Sequence, residues 1–111
     1  MLNITVNSKE HKFKMTGHAN YAEQGKDIVC SAASILFYTV CETVKMLEDE
    51  AFESKPVFNI DDSDEGVTAS IECIPKKDYT AVIDTIYQTI FNGYKLLAEG
   101  YPNNVQITIE E

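Results

Sequence analysis

The sequence predicts an α+β fold: a five-stranded antiparallel or mixed sheet packed with two helices, in the order ββαββαβ. Three observations predict it. Five short segments alternate apolar and polar residues with period two. Two longer segments repeat apolar residues at helical spacing. Each helical segment follows a pair of strand-like segments, and the two βαβ-like steps suggest some parallel pairing. A length of 111 residues fits one domain, 1–111, with little surplus burial, so self-association would help it.

Leu2, Ile4 and Val6 alternate with polar residues and predict the first strand. Phe13 and Met15 predict the second, ending at Gly17, with a polar turn over 7–10 and His11 as an exposed residue at its start. Residues 17–27 form a loop longer than the usual connection, with two glycines and few apolar anchors; long loops in small domains are often functional. Asp27 is a good N-cap for a helix from about Ile28 to Ala51. Its stripe is Val29, Ala33, Leu36, Phe37, Val40, Val44, Leu47 and Ala51. Ile28, Ala32, Ile35 and Tyr38 widen it, so the first half calls for cover on more than one side, by a sheet and a partner subunit. Val57–Ile60 is a third strand and 61–66 an acidic turn in which Gly66 supplies a positive φ. That turn lacks the closing Glu of a calcium loop. Val67, Ala69, Ile71 and Cys73 form a fourth strand, stopped by Pro75. Asp78 caps a second helix to about Glu99, with Gly100 as its stop. Val105, Ile107 and Ile109 form the fifth strand.

Charge and cysteine usage exclude several classes. Nine lysines and no arginine face eighteen acidic residues, a formal −9, so a direct nucleic-acid partner is not expected. Acidity suits a basic protein partner, and it also serves solubility. No apolar run is long enough to span a bilayer, and no secretory signal is evident, so no membrane partner is expected. Cys30, Cys41 and Cys73 are odd in number and lack CxxC spacing, which predicts free thiols and a cytoplasmic setting. With only His11 and His18 besides, no metal site and no cofactor are expected.

Cys30 falls in the first turn of the long helix, where free N–H groups and the helix dipole favour a thiolate. His18 lies across the loop and can supply the general base of an activated nucleophile. Ser34 stands one turn beyond Cys30 on the same face. Asp27 works against this: its charge opposes the thiolate, and as the cap it takes an N–H that could otherwise serve an oxyanion. Cysteine also simply packs, and Cys41 and Cys73 sit at periodic apolar positions of the core. Three readings stay open: a cysteine hydrolase, a non-catalytic module that docks a basic protein, and a redox-responsive regulator.

Gly17-His18-Ala19, Tyr21, Gly25 and Asp27-Ile28-Val29-Cys30-Ser31-Ala32 with Ser34 resemble the signature of the ribosomal processing cysteine proteases (Prp). Chain length and element order agree with that family. The resemblance implies an endopeptidase that removes the N-terminal extension of a large-subunit ribosomal protein, supporting ribosome assembly. It implies a Cys30/His18 pair supported by Gly17, Gly25, Asp27 and Ser34, with a homodimer as the assembled form. It also implies a mobile loop that closes over an extended substrate with an apolar-aromatic stretch before the cut. Ser31 stands where Ala is more usual in the signature; both are small.

Overall fold

The computed structural model describes residues 1–23, 26–63 and 66–110. β1 (Leu2–Asn7) and β2 (Lys12–Gly17) form a hairpin, followed by α1 (Ile28–Met46). A second hairpin, β3 (Val57–Ser63) and β4 (Gly66–Glu72), leads through a 3-10 turn (Lys77–Tyr79) into α2 (Thr80–Gly100), and β5 (Val105–Glu110) ends the chain. The strands form one mixed sheet in the order β3-β4-β2-β1-β5. β5 is parallel to β1, pairing Leu2 with Val105, and the other neighbours are antiparallel.

The period-two alternation sets which face of the sheet is buried. Leu2, Ile4, Val6, Phe13, Met15, Ala69, Ile71 and Val105 are buried beneath the helices, while Asn3, Lys14, Thr68 and Gln106 of the alternate positions are exposed. Register ties the rows together, since Ile4 stands opposite Met15 and Met15 opposite Ala69. From α1 come Val29, Ala33, Phe37, Val40, Cys41 and Val44; from α2 come Ile83, Tyr87, Ile90 and Tyr94. The helices approach closely at Gly93, where a Cβ would come within 2.6 Å of a Leu36 methyl. Tyr94 is fully buried, and its hydroxyl donates to Ala33 O at 3.3 Å, so the polar tip of a large core side chain is satisfied.

Several expectations are corrected. α1 ends at Met46, not near Ala51, and Leu47 closes it through bonds from its N–H to the Val44 and Lys45 carbonyls. Ala51 keeps its burial from the following turn. Glu48, Asp49 and Glu50 would place three carboxylates at the negative end of a longer helix. Asp78 does not cap α2: it lies within the 3-10 turn, and the helix starts at Thr80 without a side-chain cap. β3 extends past Ile60 to Ser63, as the charged outer edge of a sheet permits. α1 is also long and apolar enough, by length and composition, to cross a membrane. Here it serves as the central core helix, with one flank against the sheet and α2. His11 lies before β2 at a φ of 50° and is largely covered rather than exposed.

Candidate active site

Gly17 ends β2 with a φ of 98°. A Cβ there would lie 2.5 Å from the Met1 carbonyl oxygen, so both the conformation and the space require glycine. The turn it makes lifts the chain off the sheet at His18. Ala19 is then driven back into the core, 1% exposed. Asn20 adopts a left-handed φ of 55°, which Asn tolerates.

Asp27 joins this loop to α1. Its Oδ1 accepts the N–H groups of Val29 and Cys30, both at 3.0 Å. Its Oδ2 accepts those of Tyr21 at 3.0 Å and Ala22 at 3.4 Å. One carboxylate therefore caps the helix and ties down the loop. Burial works to raise its pKa, but the N–H groups of Cys30, Tyr21 and Ala22 outweigh it and hold the carboxyl below its ordinary value. The Tyr21 ring packs edge-on to Tyr101, centroids 5.3 Å apart, and Asn104 Nδ2 donates to Ala19 O at 2.9 Å. Residues 19–22 thus have polar anchors that the loop's poverty in apolar residues concealed.

Cys30 is partly exposed, and its Sγ accepts the Ala19 N–H at 3.4 Å. Its pKa is raised, first by burial and then by the Asp27 carboxylate, while the Ala19 N–H acts in the opposite direction. Burial and the Asp27 carboxylate thus favour the thiol over the thiolate, the opposition expected of Asp27 against the helix start. Asp27 has also taken the helix-start N–H groups: those of Val29 and Cys30 bond its carboxylate, and that of Ser31 bonds its carbonyl at 3.1 Å.

A groove of about 570 Å³ runs along the flank of α1 toward the β3–β4 hairpin. Gly17, His18, Asp27, Cys30 and Ser34 all line it, so five of the six sequence-predicted site residues share one cavity. The sixth, Gly25, lies outside the described residues. Sequence reasoning missed the rest of the groove wall, where Met15, Phe37, Tyr38, Ile60 and Val67 provide an apolar length. Strand alternation and helical spacing mark these residues only as core or flanking positions. It also missed Asn104, a turn residue with no local pattern that assigns it to a loop 85 positions away.

Such a groove, with a half-buried thiol and a histidine on its wall, has the form of a site for cysteine-based chemistry on an extended chain. Relatives share the whole length. The ribosomal processing cysteine protease Prp of Mycoplasma genitalium is 29% identical over 107 residues, covering 96% of each chain. The protein of the same name from Staphylococcus aureus is 30% identical over 108 residues, covering 96% of this chain and 94% of that one. Among solved structures, an essential ribosomal processing protease Prp from S. aureus with a covalently linked product peptide superposes with a TM-score of 0.76. That match has 21% identity and covers 99% of this chain and all of the other. The same protease with a substrate peptide gives 0.70 at 20% identity, again covering 99% and 100% of the two chains. The family model for cysteine protease Prp matches residues 1–106, and on that match the chain belongs to the Prp family of cysteine proteases.

Proposed function

We propose that this cysteine protease removes the N-terminal extension of a large-subunit ribosomal protein, with Cys30 as nucleophile and His18 as its general base. The observation that carries the reading is the shared groove: Cys30 and His18 line one cavity, and the Cys30 thiol, raised by burial and by Asp27, needs a base to ionise. The relatives that match over the full chain bear the name of ribosomal processing proteases, and a formal charge of −9 suits a basic substrate.

The steps balance with the groups at hand. His18 takes the thiol proton as Sγ attacks the scissile carbonyl. The tetrahedral intermediate collapses, the C–N bond breaks, and His18 delivers the proton to the leaving amine. Water then gives a proton to His18 and adds to the acyl carbon, the C–S bond breaks, and the thiol is restored. Gly17 sets the backbone from which His18 departs, Asp27 fixes loop and helix together, and Ser34 lies one turn along the wall from Cys30.

The working form in this reading is a homodimer in the cytoplasm. Ile28, Ile35 and Met46 align on the side of α1 opposite its buried stripe and are 55%, 63% and 74% exposed; Tyr38 flanks them. A second copy is the cover that these exposed apolar side chains call for. All three cysteines are free, as a reducing compartment keeps them. A redox sensor needs a thiol of lowered pKa, and Cys30 is shifted the other way.

Incubation with the extended ribosomal protein, followed by mass spectrometry, tests the activity: a single shortened product is expected, and an intact substrate overturns the reading. Sedimentation tests the assembly. A dimer at micromolar concentration is expected, converted to monomer by Ile35→Asp, whereas a monomeric parent overturns the dimer.

A further inference from the structure

An acyl transfer at Cys30 needs donors aimed at the oxygen that becomes negative, and the start of α1 does not provide them. The N–H groups of residues 29, 30 and 31 all bond Asp27. The Ala19 N–H differs from them. It donates to Cys30 Sγ, 3.4 Å away, from the loop that follows β2. The oxyanion forms on the carbon that bonds to Sγ, so a donor in contact with the sulfur needs little movement to reach that oxygen. At rest the Ala19 N–H works to lower the Cys30 pKa, which means it favours charge on sulfur. When charge passes from sulfur to oxygen during attack, the same donor can follow it.

The second observation is how firmly Ala19 is held. Its side chain is buried, its carbonyl accepts Asn104 Nδ2 at 2.9 Å, and the next loop amides, of Tyr21 and Ala22, bond Asp27. Asn104 is itself fixed at both backbone groups: its N–H donates to Tyr101 O at 3.0 Å, and its carbonyl accepts the Leu2 N–H at 2.9 Å. A donor held this firmly has little reorganisation left to make as charge moves from sulfur to the neighbouring oxygen, which favours electrostatic stabilisation of the transition state.

We propose that the backbone N–H of Ala19 is an oxyanion donor of this protease and that Asn104 is the positioning residue that aims it. The inference rests on Cys30 being the nucleophile. Ala19 therefore contributes through its backbone, and its small side chain serves only to seat that backbone in the core.

Semisynthesis tests this without altering any side chain that lines the groove. Residue Cys30 provides the ligation junction between a 1–29 thioester and the 30–111 segment. Ala19 is replaced by lactic acid in one product, so that an ester oxygen stands where the N–H was, and retained in the other. The all-amide product must cleave an extended peptide and acylate at Cys30; if it does not, the protease reading fails, and this proposal with it. Given an active amide form, the ester form is expected to lose about 10²-fold in kcat, the scale of one oxyanion donor. KM for the peptide should stay unchanged. Affinity for a peptide aldehyde, whose adduct carries the oxyanion, should fall by a similar factor while affinity for the carboxylate product holds. An ester form with kcat within twofold of the amide form overturns the proposal. If the ester form does not fold, Asn104→Ala decides: kcat about tenfold lower at constant KM, with weakened aldehyde binding, is expected. Unchanged kcat and aldehyde affinity in that variant overturn it.

Discussion

Among the described residues, two neighbourhoods each hold a cysteine and a histidine, at different ends of the sheet. In the first, Cys30 and His18 line an open groove, and the thiol meets the Ala19 N–H and the Asp27 carboxylate. In the second, Cys73 is buried, and its Sγ lies 3.4 Å from the Tyr87 hydroxyl, which donates to the His11 carbonyl at 2.8 Å. The His11 ring turns away from the sulfur: its Nε2 lies 2.6 Å from Asp84 Oδ1, and its face meets Tyr87 edge-on, centroids 5.9 Å apart. The Cys73 N–H also bonds the His11 carbonyl, at 3.2 Å. There His11 serves the cysteine through its backbone, and every partner is engaged within the fold. Residue type alone therefore does not make a site. What separates the two is whether the thiol faces a space that a substrate can enter and whether its hydrogen-bonding partners can change during a reaction.

Substitutions at the cysteines give the largest contrast. Cys30→Ala is expected to abolish peptide cleavage, at least a thousandfold by the scale of lost nucleophiles, with an unchanged circular dichroism spectrum. Cys73→Ala and Cys41→Ala should keep turnover within about twofold and lower stability by about 1–2 kcal/mol in urea unfolding, as small buried truncations do. Burial pushes the Cys41 thiol up to about 11, which fits an inert core residue. The histidines should divide the same way: His18→Ala should cost at least about 10²-fold in kcat, the scale of general acid–base catalysis. Full activity in His18→Ala would merge the two neighbourhoods into one structural class.

Sequence periodicity resolved what one-dimensional spacing controls. β1, β2 and β5 were legible because one face of the sheet is polar, so alternation is clean along them. Asp27 was legible as a cap because the signal is local. The end of α1 was not, because Leu47 and Ala51 continue the apolar spacing after the backbone has left the helix. Cys30 and His18 could be nominated, and so could the opposition of Asp27, yet the shift of the thiol depends first on burial, which is not a property of spacing. Ala19 was legible only as part of the signature and Asn104 had no signal at all, since only packing joins the 17–22 loop to the turn before β5.

The loop latch provides an intermediate effect and a pH dependence. Asp27→Asn retains an oxygen for the Val29 and Cys30 N–H groups but presents an NH₂ to those of Tyr21 and Ala22. Two donors then face two donors, at a cost of about 1–3 kcal/mol for unsatisfied groups. The folded-state pKa of Asp27 is lowered, so its stabilising contribution is fully present above the unfolded value of about 3.9 and is lost as pH falls through the folded value. The stability gap between parent and Asp27→Asn, followed by urea unfolding, should be constant above about pH 5 and should narrow toward pH 3. Slack in the loop should also lower kcat by about tenfold, because the Ala19 N–H loses its fixed aim. A gap that widens in acid would show that the latch is not the carboxylate.

The smallest expected effect tests whether the second neighbourhood is structural alone. His11 sits at a φ of 50°, so Asn, which tolerates that conformation, is the informative replacement; Ala would add a backbone cost of about 1 kcal/mol to any result. His11→Asn keeps the carbonyl that accepts the Tyr87 hydroxyl and the Cys73 N–H, and removes only the ring. The ring's bond to Asp84 is to a carboxylate more than half exposed, and such pairs contribute about 0–1 kcal/mol. Its edge contact with Tyr87 adds about 0.5–1.5 kcal/mol. Urea unfolding should therefore show a loss near 1 kcal/mol, while kcat and KM for the peptide remain at parental values. Tyr87→Phe should cost somewhat more, because it takes a donor from the His11 carbonyl and a partner from Cys73 together. A fall in kcat for either variant at full folding would mean that the far end of the sheet communicates with the groove. The sealed histidine would then have a part in the chemistry that its contacts do not provide.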